Sequence, residues 1–254
     1  MPFLTVAGVR AHYVHRRPVP TAGPPVVFVH GAGGMHQHWL YQVRDLSHSP
    51  TYALDLPGHG RSEGQGRDSI AAYGDWLVGF LDAIDEEQAV LVGHSMGGAI
   101  VLDVALRHAG RVAGLGLVAT GARLRVAPAI LDGVLQNPKA AVRLICDSAF
   151  GPETSPEMVR MGRRQMGSIS PEVLYGDFVA CDAFSVMDRL GEITAPTFVL
   201  CGSQDRLTPS KYSVYLRDQI ARCVLHLVEG AGHMVMVERP KSVVEALSSF
   251  LDGL

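Results

Sequence analysis

The stretch Ala89-Val90-Leu91-Val92-Gly93-His94-Ser95-Met96-Gly97 decides the fold. Its four leading apolar residues read as a buried strand, and the glycines flanking Ser95 are small enough for a very tight turn into a helix beginning near Met96. Such a turn leaves a serine hydroxyl exposed at the strand tip. The helix behind it aims its positive end and free N–H groups at the same spot, where an oxyanion forming beside Ser95 would be stabilised.

Outward from this turn, apolar runs alternate with helical periodicity. Residues 3–6 and 9–14 read as a hairpin, and residues 26–29, 52–54, 89–92, 113–118, 197–201 and 223–228 read as six more strands. Trp76, Leu77, Phe80, Leu81 and Ile84 make one helical face; Val243, Val244, Leu247, Phe250 and Leu251 make another, opened by Pro240. The alternation predicts an α/β fold, an eight-stranded and mostly parallel sheet with helices on both faces. From about Gly121 to Leu190 the strand rhythm stops. Helix-like segments at 128–136, 139–149, 156–166 and 171–180 lie there between Gly and Pro punctuation. We read 121–190 as a helical cap inserted in a core of 1–120 and 191–254, one domain in all.

The 254 residues are 47% hydrophobic and 19% charged, with 22 basic and 25 acidic side chains and a formal net charge of -3. That balance offers no basic footprint for nucleic acid or an anionic membrane, and no stretch approaches the ~20 apolar residues of a membrane span. Residues 1–15 hold no basic segment followed by an apolar run, so a cytoplasmic location is expected. Cys146, Cys181, Cys201 and Cys223 lack C-x-x-C spacing and are expected as reduced, mostly buried thiols. His30, His94, His36 and His38 raise a metal site, set aside for want of carboxylate and cysteine partners. No metal and no organic cofactor is expected.

Four signatures stand in order along the chain. They are His30-Gly31-Ala32-Gly33-Gly34 after the third strand, Asp55-Leu56-Pro57-Gly58-His59-Gly60-Arg61-Ser62 after the fourth, the turn at Ser95, and finally Gly202-Ser203-Gln204-Asp205 with Gly230-Ala231-Gly232-His233 after the last two strands. Together they resemble the α/β-hydrolase superfamily, in its serine esterase and small-molecule hydrolase branch, over nearly the whole chain. The resemblance implies a triad in the order Ser95, Asp205, His233. Ser95 would be the nucleophile, His233 the base that accepts its proton and later protonates the leaving group, and Asp205 the carboxylate that orients the imidazole. Glu229 and Glu238 are alternatives for that carboxylate. The oxyanion hole is expected from the Ala32 and Met96 N–H groups, with Gly33 the neighbouring alternative to Ala32. The Asp55–Ser62 motif is implied to be a structural turn, and His226, inside a strand, is expected to be dispensable.

The cap holds eight basic and eight acidic residues, so it does not advertise a charged substrate. Met158, Met161, Met166, Phe178 and Phe184 are candidates for an adaptable apolar pocket or simply for burial. Arg160, Arg163 and Arg164 read as a solvated helix face rather than an anion clamp. The implied function is hydrolysis of small or medium, largely uncharged carboxylic esters through an acyl-enzyme. A C–C bond hydrolase or an enol-lactonase acting on ring-cleavage products is the nearest rival, because the segment from Gly176 to Phe184 does not separate these classes. Thioesterase and perhydrolase activities stay open. A serine at position 95 argues against the relatives that use an aspartate nucleophile there, the haloalkane dehalogenases and epoxide hydrolases. From another class, the chain could be a non-catalytic small-ligand binder.

Overall fold

Two residues at positive φ, Ala7 and Gly8, turn β1 (Phe3–Val6) back on β2 (Val9–Arg16), the backbone twist that two-residue hairpin loops need. Six strands follow: β3 (Val26–Val29), β4 (Thr51–Leu54), β5 (Ala89–His94), β6 (Val112–Val118), β7 (Thr197–Gly202) and β8 (Cys223–Val228). The computed structural model describes residues 2–18, 23–47 and 49–254, so Met1 of the N-terminal segment read above lies outside the described residues. One sheet results, in the order β1-β2-β4-β3-β5-β6-β7-β8. Only the pairs β1–β2 and β2–β4 are antiparallel.

Side chains alternate across each strand, and both faces are covered. Val27, Val29, Leu54 and Leu91 meet α2 (Ile70–Ala83), α3 (Met96–Arg107) and α8 (Ser210–Gln219) through Leu77, Phe80, Ile100 and Leu216. On the other face Val26, Phe28, Val90 and Val92 meet α1 (Leu40–Asp45) and α10 (Pro240–Leu251) through Val43, Val243 and Leu247. Strand β3 leads through α1 to β4 on one side, whereas β4 leads through α2 to β5 on the other. The order therefore reverses between β3 and β5, and their carboxyl ends open the crevice where such sheets bind ligands.

Between β6 and β7 the chain leaves the sheet through α4 (Pro128–Gln136), α5 (Pro138–Ala149), α6 (Pro156–Met166) and α7 (Pro171–Ala183). Each begins with proline, which has no N–H to leave unsatisfied, and Asn137, Ser155 and Ser170 cap α5, α6 and α7. Val134, Val142, Cys146, Ile169 and Leu174 form a small core with Met35 from the loop after β3. Helix α6 contributes no buried residue. Its Arg160, Arg163 and Arg164 pair with the acids Glu157 and Asp147 at the surface, as expected of a solvated face. Phe184 belongs to the core beneath α2 and α3, where the chain turns after α7. All four cysteines are free, three of them buried. Among the described residues no helix is long and apolar enough to cross a membrane.

Buried polar groups knit the crevice loops together. The His30 ring donates from Nδ1 to the Gly31 carbonyl (2.8 Å) and accepts the Leu56 N–H at Nε2 (3.0 Å), so both nitrogens of a neutral imidazole are used. Asp55 accepts from His12 Nδ1, His36 Nδ1 and the His36 and Arg61 N–H groups at 2.7–3.0 Å. His36 thus does have a carboxylate partner, and the cluster His12, His36 and Asp55 has ligand-like spacing, with the Nδ1 atoms of both rings bonded to the Asp55 carboxylate. Asp177 of α7, fully buried, accepts from Gly33 N (2.8 Å), His59 Nε2 (2.8 Å) and Tyr73 Oη (2.6 Å). His59 also donates from Nδ1 to the Pro57 carbonyl (3.1 Å); with both partners acceptors, its ring is an imidazolium. On the far side Glu238, at the end of α9 (Val235–Glu238), accepts from Gly151 N, Thr154 Oγ1 and Gly232 N.

Two expectations follow from these buried charges. Asp177→Ala strands the His59 cation and should cost about 3–5 kcal/mol, read as a lowered urea midpoint; a midpoint within error of the parent would show that the pair is not held as described. Stability should also fall as pH drops from about 6.5. Burial pushes His30 and His94 well below the ordinary imidazole value and His38 to about 4, and it lowers His12. Rings that refuse a proton when folded and accept one when unfolded each remove up to ~1.4 kcal/mol per pH unit in that window. His59 opposes them: burial alone would lower it, but Asp177 overrides this and raises it. The melting temperature should therefore decline between pH 7 and pH 5, and His38→Gln should flatten the decline; an unchanged slope in that variant would remove His38 from the account.

Candidate active site

Ser95 sits between β5 and α3 at φ 53°, ψ -117°, a conformation that costs a non-glycine residue about 1–3 kcal/mol. Four hydrogen bonds hold it there. Its N–H donates to Val118 O (3.0 Å), and its carbonyl accepts from Gly98 N (2.9 Å), Ala99 N (3.2 Å) and Thr120 Oγ1 (2.8 Å). The backbone is fully engaged while the side chain projects into the crevice, where it lines two adjoining chambers with His233.

His233 is 4% exposed and follows Gly232 in the loop between β8 and α9. Its Nδ1–H donates to Asp205 Oδ2 at 2.9 Å. The loop is held from two sides: the His233 and Met234 N–H groups donate to Ala149 O at the end of α5, and His94 Nε2–H donates to the His233 carbonyl (3.0 Å). Asp205 lies beyond β7. It receives Leu207 N and Thr208 N on Oδ1 and Thr208 Oγ1 on Oδ2, each at 2.8 Å. Burial alone would raise its pKa, but the charge and hydrogen bond of His233, with the Thr208 bonds, outweigh this and hold it below the usual carboxylate value. An ionised Asp205 fixes the tautomer that leaves His233 Nε2 as the basic nitrogen. Among the described residues no hydrogen bond joins that nitrogen to Ser95 Oγ.

The competing assignments part company in space. Glu238 is committed to the Gly151–Thr154 segment and Gly232, and Glu229 is exposed. His226 lies half-buried on the edge strand β8, against Phe198. For the oxyanion, the Gly33 N–H is taken by Asp177. The N–H groups of Ala32 and Met96 have no acceptor among the described residues, and Met96 is the first residue of α3, whose dipole adds to its field. His30, His94, His36 and His38 do not converge on one point: His30 serves Leu56 and His94 serves His233. Thr208 and Asp177 went unnoticed in the sequence. The spacing Asp205-x-x-Thr208 carries a weak turn signal for the first; the second has none, since its partners lie 104 to 144 positions away.

The first chamber is walled by the Gly31–Gly33 loop, Ile145, Met166, Phe178 and Leu207. The second runs toward Leu124, Ile130 and Tyr212. Of the five apolar candidates, Met166 and Phe178 face Ser95, whereas Met158 and Met161 line an outer trough.

The chain belongs to the alpha/beta hydrolase family, whose profile matches residues 26–246. Among its relatives, 2-hydroxymuconate semialdehyde hydrolase of Pseudomonas sp. (strain CF600) is 31% identical over 91% of this chain and 87% of its own length. The dihydrolipoyllysine-residue acetyltransferase component of the acetoin cleaving system of Pseudomonas putida is 32% identical over 90% of this chain, and the match spans 64% of that protein. Two solved structures are similar over almost their whole length. A thermophilic esterase has TM-score 0.87 and 33% identity, covering 99% of this chain and 97% of its own. The enol-lactonase from Burkholderia xenovorans LB400 has TM-score 0.91 and 25% identity, covering 99% and 100%.

Proposed function

We propose that the protein is a serine hydrolase that cleaves carboxylic esters of small or medium, largely uncharged acyl groups. One observation carries this: Ser95, a buried His233–Asp205 pair and the uncommitted Ala32 amide meet at one apolar crevice, with the uncommitted Met96 N–H opening the helix directly after Ser95. Ser95 Oγ attacks the acyl carbon as His233 Nε2 takes its proton. Charge developing on the carbonyl oxygen is met by the Ala32 and Met96 N–H groups. His233 returns the proton to the departing alcohol, then activates the water that frees the acid. Thr208 adds a second support to the Asp205 carboxylate. The four helices between β6 and β7 act as the cap that bounds substrate size, and the similar thermophilic esterase supports the ester as target. The free thiols fit work in the reducing cytoplasm.

Likeness to the enol-lactonase keeps a second reading alive, a cyclic enol ester attacked by the same groups. Intact-protein mass after brief exposure to a small fluorophosphonate tests the nucleophile. One adduct on the parent and none on Ser95→Ala is expected, and equal labelling of both would remove Ser95 from the mechanism. Asp205→Asn should keep the fold and lower kcat about 10⁴-fold on p-nitrophenyl acetate; an unchanged kcat would take the acid role from Asp205. Preference for a lactone over every open ester would select the second reading.

A further inference from the structure

The chambers beside Ser95 are small, about 70 Å³ and 110 Å³. Beyond the first lies a trough of about 650 Å³ between α6 on one bank and, on the other, α1 with the 3₁₀ turn His36–Trp39. Chamber and trough adjoin: His38, Phe150, Gly162 and Met234 belong to the walls of both. At this neck the Phe150 ring packs directly on Gly162, where a Cβ would stand 2.9 Å from it.

The trough is apolar where a surface is usually not. Leu40, Tyr41 and Met161 line it while 44%, 40% and 45% exposed, a clustering that on a soluble chain marks a binding surface. Arg44 is the one charged lining residue, and Asp45 clasps its guanidinium at 2.6 and 2.7 Å. The His38 ring at the neck is neutral at ordinary pH, because burial drops its pKa to about 4. Nothing along this path favours a charged ligand. The α6 bank can also adapt, since it buries no residue and meets the trough through Met158 and Met161, unbranched side chains that mould to irregular apolar shapes.

We propose that the trough is a subsite for the distal part of the substrate: one arm of the ester is an unbranched apolar chain that leaves the Ser95 chamber past His38 and lies between α1 and α6. The inference rests on the hydrolase reading above and extends it from a small acyl group at the reacting end to a chain beyond it.

Two ester series test it, both kept below micelle-forming concentrations: p-nitrophenyl esters from acetyl to dodecanoyl, and acetates of alcohols from ethyl to dodecyl. The parent is compared with Leu40→Asp and Met161→Asp, substitutions at side chains nearly half exposed and outside the inner chambers. In one of the series kcat/KM should climb by up to about fourfold per methylene beyond butyl. Both variants should lose at least tenfold on the longest chain, through KM, and keep the parent rate on p-nitrophenyl acetate. The proposal is overturned if both series are flat, or if the variants fall equally on short and long esters. It is also overturned if sedimentation shows a dimer that Leu40→Asp dissolves, since a second copy would then fill the trough. Fluorophosphonate labelling with flat series sinks this subsite and leaves the hydrolase standing; no labelling and no turnover sinks both.

Discussion

Everything at the crevice depends on how closely a helix passes a strand. A Cβ on Gly93 would stand 2.1 Å from the Gly97 carbonyl oxygen, and one on Gly97 would stand 2.4 Å from that of Val29. No relaxation of side chains makes room for either, because the obstructing atoms are backbone. With hydrogen at both positions, α3 can start directly behind the tip of β5, and the single residue left to reverse the chain is Ser95, forced to positive φ. The same contact sets where the Met96 N–H points and locks α3 against β3, whose end carries the Gly31–Gly34 loop. One steric fact thus places the Ser95 side chain and the Ala32 and Met96 amides relative to each other. The strain it leaves at Ser95 is offset by hydrogen bonds to Val118, Thr120 and the first turn of α3.

The loops facing this elbow are irregular, and irregular backbone stays in one shape only when its polar groups have fixed partners. Three buried carboxylates do most of that here. Asp55 organises the loop after β4, Asp177 ties α7 to that loop and to the Gly33 amide, and Glu238 joins the histidine loop to the chain after α5. Their value lies less in net stabilisation, which desolvation erodes, than in the penalty for any arrangement that leaves one unpaired. The exposed pairs of α6, by contrast, are screened and hold little. Asp177 also occupies the Gly33 amide, so that donor does not face the crevice unpaired.

The fold was largely legible from the sequence because its signals are local. Eight apolar runs give eight strands with ends shifted by a residue or two, and prolines at 128, 156 and 171 mark helix starts that need no tertiary help. The elbow was legible for the same reason, since its steric demand falls on adjacent residues. What could not be read were pairings made across the chain. Asp177 looks like any helical acid until Gly33, His59 and Tyr73 arrive, and Thr208 becomes a support for Asp205 only because His233 comes in from β8. Likewise composition could name Met158, Met166 and Phe184 as apolar candidates, but it could not say that one would line the trough, one the chamber, and one the core beneath α2.

These attachments make the insertion uneven. Helix α7 is fixed by Asp177, and the end of α5 is fixed by the His233 amide and Glu238, so neither can shift without disturbing the Gly31–Gly34 loop or His233. Helix α6 has no buried residue and reaches the α1 side through the exposed Gln165–Gln37 hydrogen bond at 2.7 Å. The α6 bank of the trough is therefore held by fewer buried side chains than α5 or α7. A wall divided in this way can adapt to the remote part of a ligand while the reacting atoms keep one geometry. Substitutions at Met158 and Met161 can then reshape the trough alone, whereas Gly162 and Met166 of the same helix also wall the Ser95 chamber.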